Sequence, residues 1–250
     1  MLDDARIDAF VRDGFVRIEG AFPRDVAAGC RAAIWRDLAV DPDDPDTWPG
    51  PAAALPGSAE PPFRAAANTP CLHAAFDALV GRGRWTPRDA LGGIVVRFPG
   101  GGPARVDGWH VDVSFPGDDS TPDDYMTWRA NARSRDAALL MLFLFSDVGP
   151  DDAPTRLRAG SHRDTARVLE PAGERGLDAR TLAGRAEAAS RHRRIAPATG
   201  AAGDVYLCHP FLVHAGQPHH GTRPRPLGQP KLLPAGPPAP DAPVTRALDA

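Results

Sequence analysis

Gly203-Asp204-Val205-Tyr206-Leu207-Cys208-His209-Pro210-Phe211-Leu212-Val213-His214-Ala215-Gly216 reads as a turn, a strand, a break at Pro210 and a second strand that closes on His214. The same grammar governs the chain from residue 91 onward, where short runs of Val, Ile, Leu and Phe alternate with Gly, Pro and Asp clusters. Candidate strands cover 93–98, 106–114, 138–146, 155–158, 194–196, 204–208, 211–215 and 226–232. Eight short strands behind helical material predict a mainly β fold with flanking helices: a double-stranded β-helix, or jelly-roll, cupin-like barrel.

Working outward, residues 3–13 place Ile7, Phe10 and Val11 on one helical face, and Gly14 ends that segment. A strand over 15–18 and a helix over 24–38 follow. Residues 40–70 hold eight prolines and little apolar periodicity, so they are expected to form an irregular surface insertion, with Trp48 either anchoring it or exposed. The Pro- and Ala-rich tail after Pro234 is expected to be extended or disordered. The chain therefore divides into one domain over 1–233, with a helical part (1–90) and a barrel (91–233), and a tail over 234–250.

The chain has 250 residues, enough to bury a sizeable core without disulfides. Its three cysteines, Cys30, Cys71 and Cys208, form no closely spaced metal set, and an odd count argues against a disulfide framework. A net charge of −3 gives no general attraction to nucleic acid or to an anionic membrane. Lys231 is the single lysine among 29 basic residues, which disfavours Schiff-base and P-loop chemistry. The acidic, amphipathic first residues resemble no signal or transit peptide, and the longest apolar run, 137–145, is far short of a membrane span. A soluble cytoplasmic protein is expected, of unknown oligomeric state.

Chemistry concentrates in Gly108-Trp109-His110-Val111-Asp112-Val113-Ser114. On an extended segment residues i and i+2 share a face, so His110 and Asp112 point together while Val111 and Val113 pack oppositely, as does Trp109. An imidazole and a carboxylate so placed are two parts of the facial triad that holds non-haem Fe(II) and leaves open positions. An isolated His-x-Asp is more readily a structural hydrogen-bonded pair, so the third ligand matters. His162, His209, His214, His219 and His220 compete for it. His219 and His220 sit in a Pro/Gly loop and are expected to be solvated, and His209 abuts Pro210 in a turn or core position. His214, closing an apolar strand, is the best candidate. Eleven residues later Arg225 returns on a neighbouring strand, where a guanidinium can grip a carboxylate in bidentate fashion; Arg223 is the runner-up.

With these residues in place, the sequence resembles the phytanoyl-CoA dioxygenase family of Fe(II)- and 2-oxoglutarate-dependent oxygenases, from about Phe10 to Leu233. The likeness runs through Asp13-Gly14-Phe15-Val16, His110-x-Asp112, Leu144-Phe145-Ser146-Asp147-Val148, Ala153-Pro154-Thr155, Gly160-Ser161-His162, Gly203-Asp204, His214 and Arg225 in order. Ala159 departs from it, standing where the family usually has proline. The resemblance implies that His110, Asp112 and His214 are the iron ligands and catalytic residues, and that Arg225 holds 2-oxoglutarate, with Arg223 second in line. It further implies an oxidoreductase that uses O2, converts 2-oxoglutarate to succinate and CO2, and hydroxylates a small molecule. Asp112 occupies the position that halogenating relatives leave small, which disfavours halogenation; desaturation and ring formation stay open. The alternatives are a metal-binding jelly roll without oxygenase activity and a cupin-like metal isomerase or hydrolase, which has no use for Arg225.

The loop over 118–136 is acidic at first and then basic in Trp128-Arg129-Ala130-Asn131-Ala132-Arg133-Ser134-Arg135. It reads as solvated surface whose charges cancel, with a lid placing Arg129, Asn131 or Arg133 against a polar or anionic substrate as the second reading. Residues 174–194 read as an exposed charged helix or loop, and His162 as a structural hydrogen-bonding histidine.

Overall fold

Helix α1 (Asp4–Asp13) starts where the Asp3 carboxylate accepts the Arg6 amide and stops where Gly14 turns left-handed at φ 81°. The structure is a computed structural model that describes residues 2–100, 102–104, 107–121, 123–134 and 136–249. After Gly14 the chain enters β1 (Phe15–Ile18) and then α2 (Arg24–Leu38), both within the expected bounds.

The proline-rich stretch is a correction. It contains β2 (Ala52–Ser58), α3 (Pro61–Ala67) and the start of α4 (Pro70–Val80). Its prolines work as helix starters and edge residues. Pro61, Pro62 and Pro70 occupy first-turn positions, where a backbone N–H has no intrahelical partner to lose. Pro56 lies on β2, the outermost strand of its sheet, where a missing donor costs little. Trp48 packs on Phe98 with ring centroids 5.5 Å apart.

The large antiparallel sheet runs β1, β9 (Val205–Cys208), β5 (Leu139–Leu144), β11 (Arg225–Gly228), β3 (Leu91–Arg97), β2, with β12 (Lys231–Leu232) also paired to β5. The expected strand over 226–232 is thus two, interrupted at Gln229-Pro230. A small sheet orders β10 (His214–Ala215), β6 (Arg156–Arg158), β8 (Ile195–Pro197). A third pairs β4 (Arg129–Ala130) with β7 (Leu177–Asp178). Large and small sheets face each other in a jelly-roll arrangement, and among the described residues no ladder closes them into a continuous barrel.

β5 explains its own unbroken apolar run, for all six of its residues are buried. Met141 and Phe143 join Val205, Leu207, Ile94 and Val96 in a core beneath α2, α3 and α4. Leu140, Leu142 and Leu144 point the other way, between the sheets, to meet Leu157, Leu212 and Leu227. Each such buried side chain contributes about 1.5–3 kcal/mol. A third core sets α6 (Ala179–Ala189) and the end of α5 (Ser161–Leu169) against Val111, Val113, Phe211 and Val213. Helix α6 therefore buries Ala179, Leu182 and Ala186 rather than lying free on the surface.

The tail is the second correction. Residues 243–249 form α7 (Pro243–Asp249), whose Ala247 is fully buried and accepts hydrogen bonds from His162 Nε2 and Arg163 Nε, each at 3.1 Å. The extended tail expected from composition gives way to a helix packed against α1 and α4; Ala242 and Val244 join the core beside the N-terminal helices and Ala247 is buried.

Candidate metal centre

Of the expected strand over 106–114, residue 106 lies outside the described residues. Residues 107–114 join no longer ladder; a single antiparallel bridge pairs His110 with His214, through His110 N–H to His214 O at 2.9 Å and its reciprocal at 3.0 Å. The alternation nonetheless holds, since Val111 and Val113 enter the core against α5 and α6 while His110 and Asp112 turn away from it. The ligand atoms of His110, Asp112 and His214 all lie within 4.8 Å of one another. His110 Nε2 is 4.0 Å from Asp112 Oδ1, and the two imidazole centroids are 4.2 Å apart.

Each imidazole is aimed by its other nitrogen. His110 Nδ1 donates to Gly108 O at 2.8 Å and His214 Nδ1 to Leu212 O at 3.0 Å, which makes both Nε2 atoms acceptors; that of His110 is open, and that of His214 meets the Gln229 amide, which a bound cation would displace. Burial, with His110 close by, holds His214 well below the ordinary histidine pKa, so at neutral pH its imidazole is uncharged. Two imidazoles and one carboxylate are the donor set of a non-haem Fe(II) site. His110 and Asp112 remain partly exposed, leaving one side of the group open.

The segment before His110 is tied to the one after His214 by two arginines. Arg97 Nη2 pairs with Asp107 Oδ1 at 2.7 Å and also donates to Gln217 O. Arg156 Nη2 donates to Asp107 O at 3.1 Å and to Gly216 O at 2.6 Å. Arg156 and Arg158 also lie over the Trp109 ring, 4.7 and 4.2 Å from its centroid.

Arg225 lies directly across the β11–β3 ladder from Arg97, and both are buried. Its Nη2 donates to Ala153 O at 2.5 Å and its Nε to Asp152 O at 3.4 Å, but its buried Nη1 has no hydrogen-bond partner. Burial, and then the neighbouring charge of Arg97, push its pKa down to about 9. A buried guanidinium with one side unmet is the donor a carboxylate would take. Arg223, by contrast, is exposed and pairs with Asp43 at 3.0 Å. Two residues past Leu227, the Gln229 amide stands 3.0 Å from His214 Nε2; sequence reasoning overlooked it, although Arg225, Leu227 and Gln229 share one period-two line.

Asn131 and Arg133 line a recess of about 400 Å3 together with Ser114, Phe115, Asp136 and Glu174. It adjoins a narrow cleft walled by Asp112, Leu140, Phe211 and Lys231. Arg129 turns aside, donating to Arg175 O at 3.0 Å and pairing with Asp119 at 3.3 Å. Arg135 lies outside the described residues. His209 is buried, with its Nδ1 accepting the Phe211 amide. His219, expected in solvent, is buried as well because its Nδ1 closes the turn by accepting the Gly221 amide; His220 is exposed. Among the described residues, no helix is long and apolar enough to cross a membrane.

A family model described as phytanoyl-CoA dioxygenase (PhyH) matches residues 10–227, and the chain belongs to that family of Fe(II)- and 2-oxoglutarate-dependent enzymes. Among solved structures it is similar to HygX from Streptomyces hygroscopicus with nickel, 2-oxoglutarate and hygromycin B bound, at 18% identity and a TM-score of 0.54 over 91% of this chain and 86% of that one. It is also similar to the epimerase SnoN in complex with Fe3+, alpha-ketoglutarate and nogalamycin RO, at 18% identity and a TM-score of 0.57 over 90% and 81%. A third likeness, to the carbocyclase SnoK from nogalamycin biosynthesis, has 16% identity and a TM-score of 0.50 over 91% and 83%. No curated protein sequence matches.

Proposed function

We propose that this enzyme hydroxylates a small molecule at a metal held by His110, Asp112 and His214, with Arg225 gripping the far carboxylate of 2-oxoglutarate. The observation that carries the reading is the convergence of two imidazoles and one carboxylate whose ligand atoms lie within 4.8 Å of one another. When bound, iron and 2-oxoglutarate supply the oxidising chemistry, with O2 as oxidant and succinate and CO2 as coproducts. The chain's own work is orientation. Gly108 O and Leu212 O fix the imidazoles, Arg97 and Arg156 fasten the two ligand-bearing segments, and Arg225 Nη1 offers a dry anchor. The substrate reaches the Asp112 side through the recess bordered by Asn131 and Arg133.

The test is anaerobic addition of Fe(II) and then 2-oxoglutarate, following the visible metal-to-ligand charge-transfer band. A band lost in His214→Ala and weakened in Arg225→Ala supports the reading; Fe(II) binding without a band turns it toward a metal isomerase or hydrolase. SnoN is an epimerase and SnoK a carbocyclase, so the product decides the outcome. A product heavier by one oxygen means hydroxylation, equal mass means epimerisation, and loss of two hydrogens means ring closure or desaturation.

A further inference from the structure

Asp112 is followed by a backbone unit whose two polar groups pair with no strand among the described residues. Tyr125 supplies both partners: its hydroxyl accepts the Val113 N–H at 3.0 Å and donates to Val113 O at 3.1 Å. Lys231 Nζ donates to the same carbonyl at 2.9 Å and pairs with Asp136 at 2.5 Å. Next along the chain, the Ser114 N–H donates to Arg129 O at 2.7 Å. These partners come from the loop after the ligand segment and from β12, so they hold the backbone just after Asp112, as the Asp107 ties hold it before His110. Lys231 is notable in composition too, as the one lysine in a chain that otherwise uses arginine for basic charge. A compact ammonium can meet a carbonyl and a carboxylate within the narrow cleft beside Asp112, where a planar guanidinium is bulkier.

We infer that Tyr125 and Lys231 are positioning residues of the metal centre, holding Asp112 in ligating orientation by taking over, at Val113, the work of an absent neighbouring strand. Neither side chain is a ligand; each acts through the backbone of Val113. The inference rests on the reading of His110, Asp112 and His214 as metal ligands. It also gives the loop over 118–136 a role that is neither free surface nor lid, because its Tyr125 and Asp136 are structural partners of the ligand segment.

The test uses Co(II) as a redox-stable probe on the full chain, comparing wild type, Tyr125→Phe, Lys231→Met and, as a control on the same loop, the exposed Met126→Ala. Expected are apo melting temperatures close to wild type and Co(II) affinity lowered roughly ten-fold or more in the first two variants. Their visible Co(II) ligand-field bands are expected to shift, while Met126→Ala matches wild type. In Tyr125→Phe the Val113 amide also exchanges with deuterium faster, a readout that needs no metal. Unchanged affinity and spectra in both Tyr125→Phe and Lys231→Met overturn the inference even if metal binds well. Wild type that binds no Co(II) defeats the metal-site reading itself, and the positioning roles with it.

Discussion

Arg225 and Arg97 face each other across an antiparallel ladder, two buried guanidiniums side by side. Arg97 has the Asp107 carboxylate against it at 2.7 Å, while Arg225 touches only main-chain carbonyls. Like charges brought together in a dry interior repel unless an anion arrives, and the unmet Nη1 of Arg225 is where it fits. Arg225→Lys keeps the charge but loses the fork. Its dissociation constant for 2-oxoglutarate, measured by titration of the Fe(II) complex, is expected to rise roughly ten- to a hundred-fold. Arg223→Ala, altering an exposed side chain, leaves it unchanged. The same weakening in both variants would remove Arg225 from the role.

Asp112 supplies the only negative charge in the three-residue group. Asp112→Ala removes a donor and the charge that would balance the cation, leaving only the two imidazoles. Fe(II) affinity should fall by more than about a hundred-fold, beyond what loss of an outer partner costs. Calorimetry with Fe(II) under anaerobic conditions checks this, and near-normal binding would mean that the metal sits elsewhere.

That His110 and Asp112 come together beside His214 was legible because period-two alternation survives even where the ladder does not: Val111 and Val113 still go to the core. What could not be read was how that segment is held, since Arg97, Arg156, Tyr125 and Lys231 approach from elements distant in sequence. Composition misled at residues 40–70 because proline has two meanings. It breaks a helix interior but starts a helix at Pro61 and Pro70, and only packing of Phe63 and Leu72 reveals which applies. His219 misled likewise, a polar-looking loop residue drawn inward by its own turn.

His162 makes stability depend on pH in a defined direction. Burial and the nearby Arg163 push its pKa down from 6.5 to about 4, with Nε2 donating to Ala247 O. The folded state therefore disfavours the proton. As pH falls through 6.5 the unfolded chain gains it and the folded chain does not, so stability drops until about pH 4. The slope is at most about 1.4 kcal/mol per pH unit. His162→Gln retains an amide donor for Ala247 and should flatten part of this slope in urea melts between about pH 7 and about pH 5. An identical slope in the variant would assign the effect to other groups.

Helix α7 turns a compositional tail into part of the core, and truncation measures how much. A chain ending at residue 241 loses the buried Ala242, Val244 and Ala247 and strips His162 Nε2 and Arg163 Nε of a shared acceptor. Apolar burial of this extent plus an orphaned buried donor is worth on the order of 3 kcal/mol or more. The urea midpoint should therefore fall clearly at unchanged slope, since most of the surface buried on folding remains. Ala247→Asp separates the packing from the length of chain, because it leaves the acceptor carbonyl in place while forcing a charge into a fully buried position. A comparable loss in that variant puts the stabilisation in the packed face of α7; a midpoint untouched by either change would mean that the helix rests on the domain without holding it.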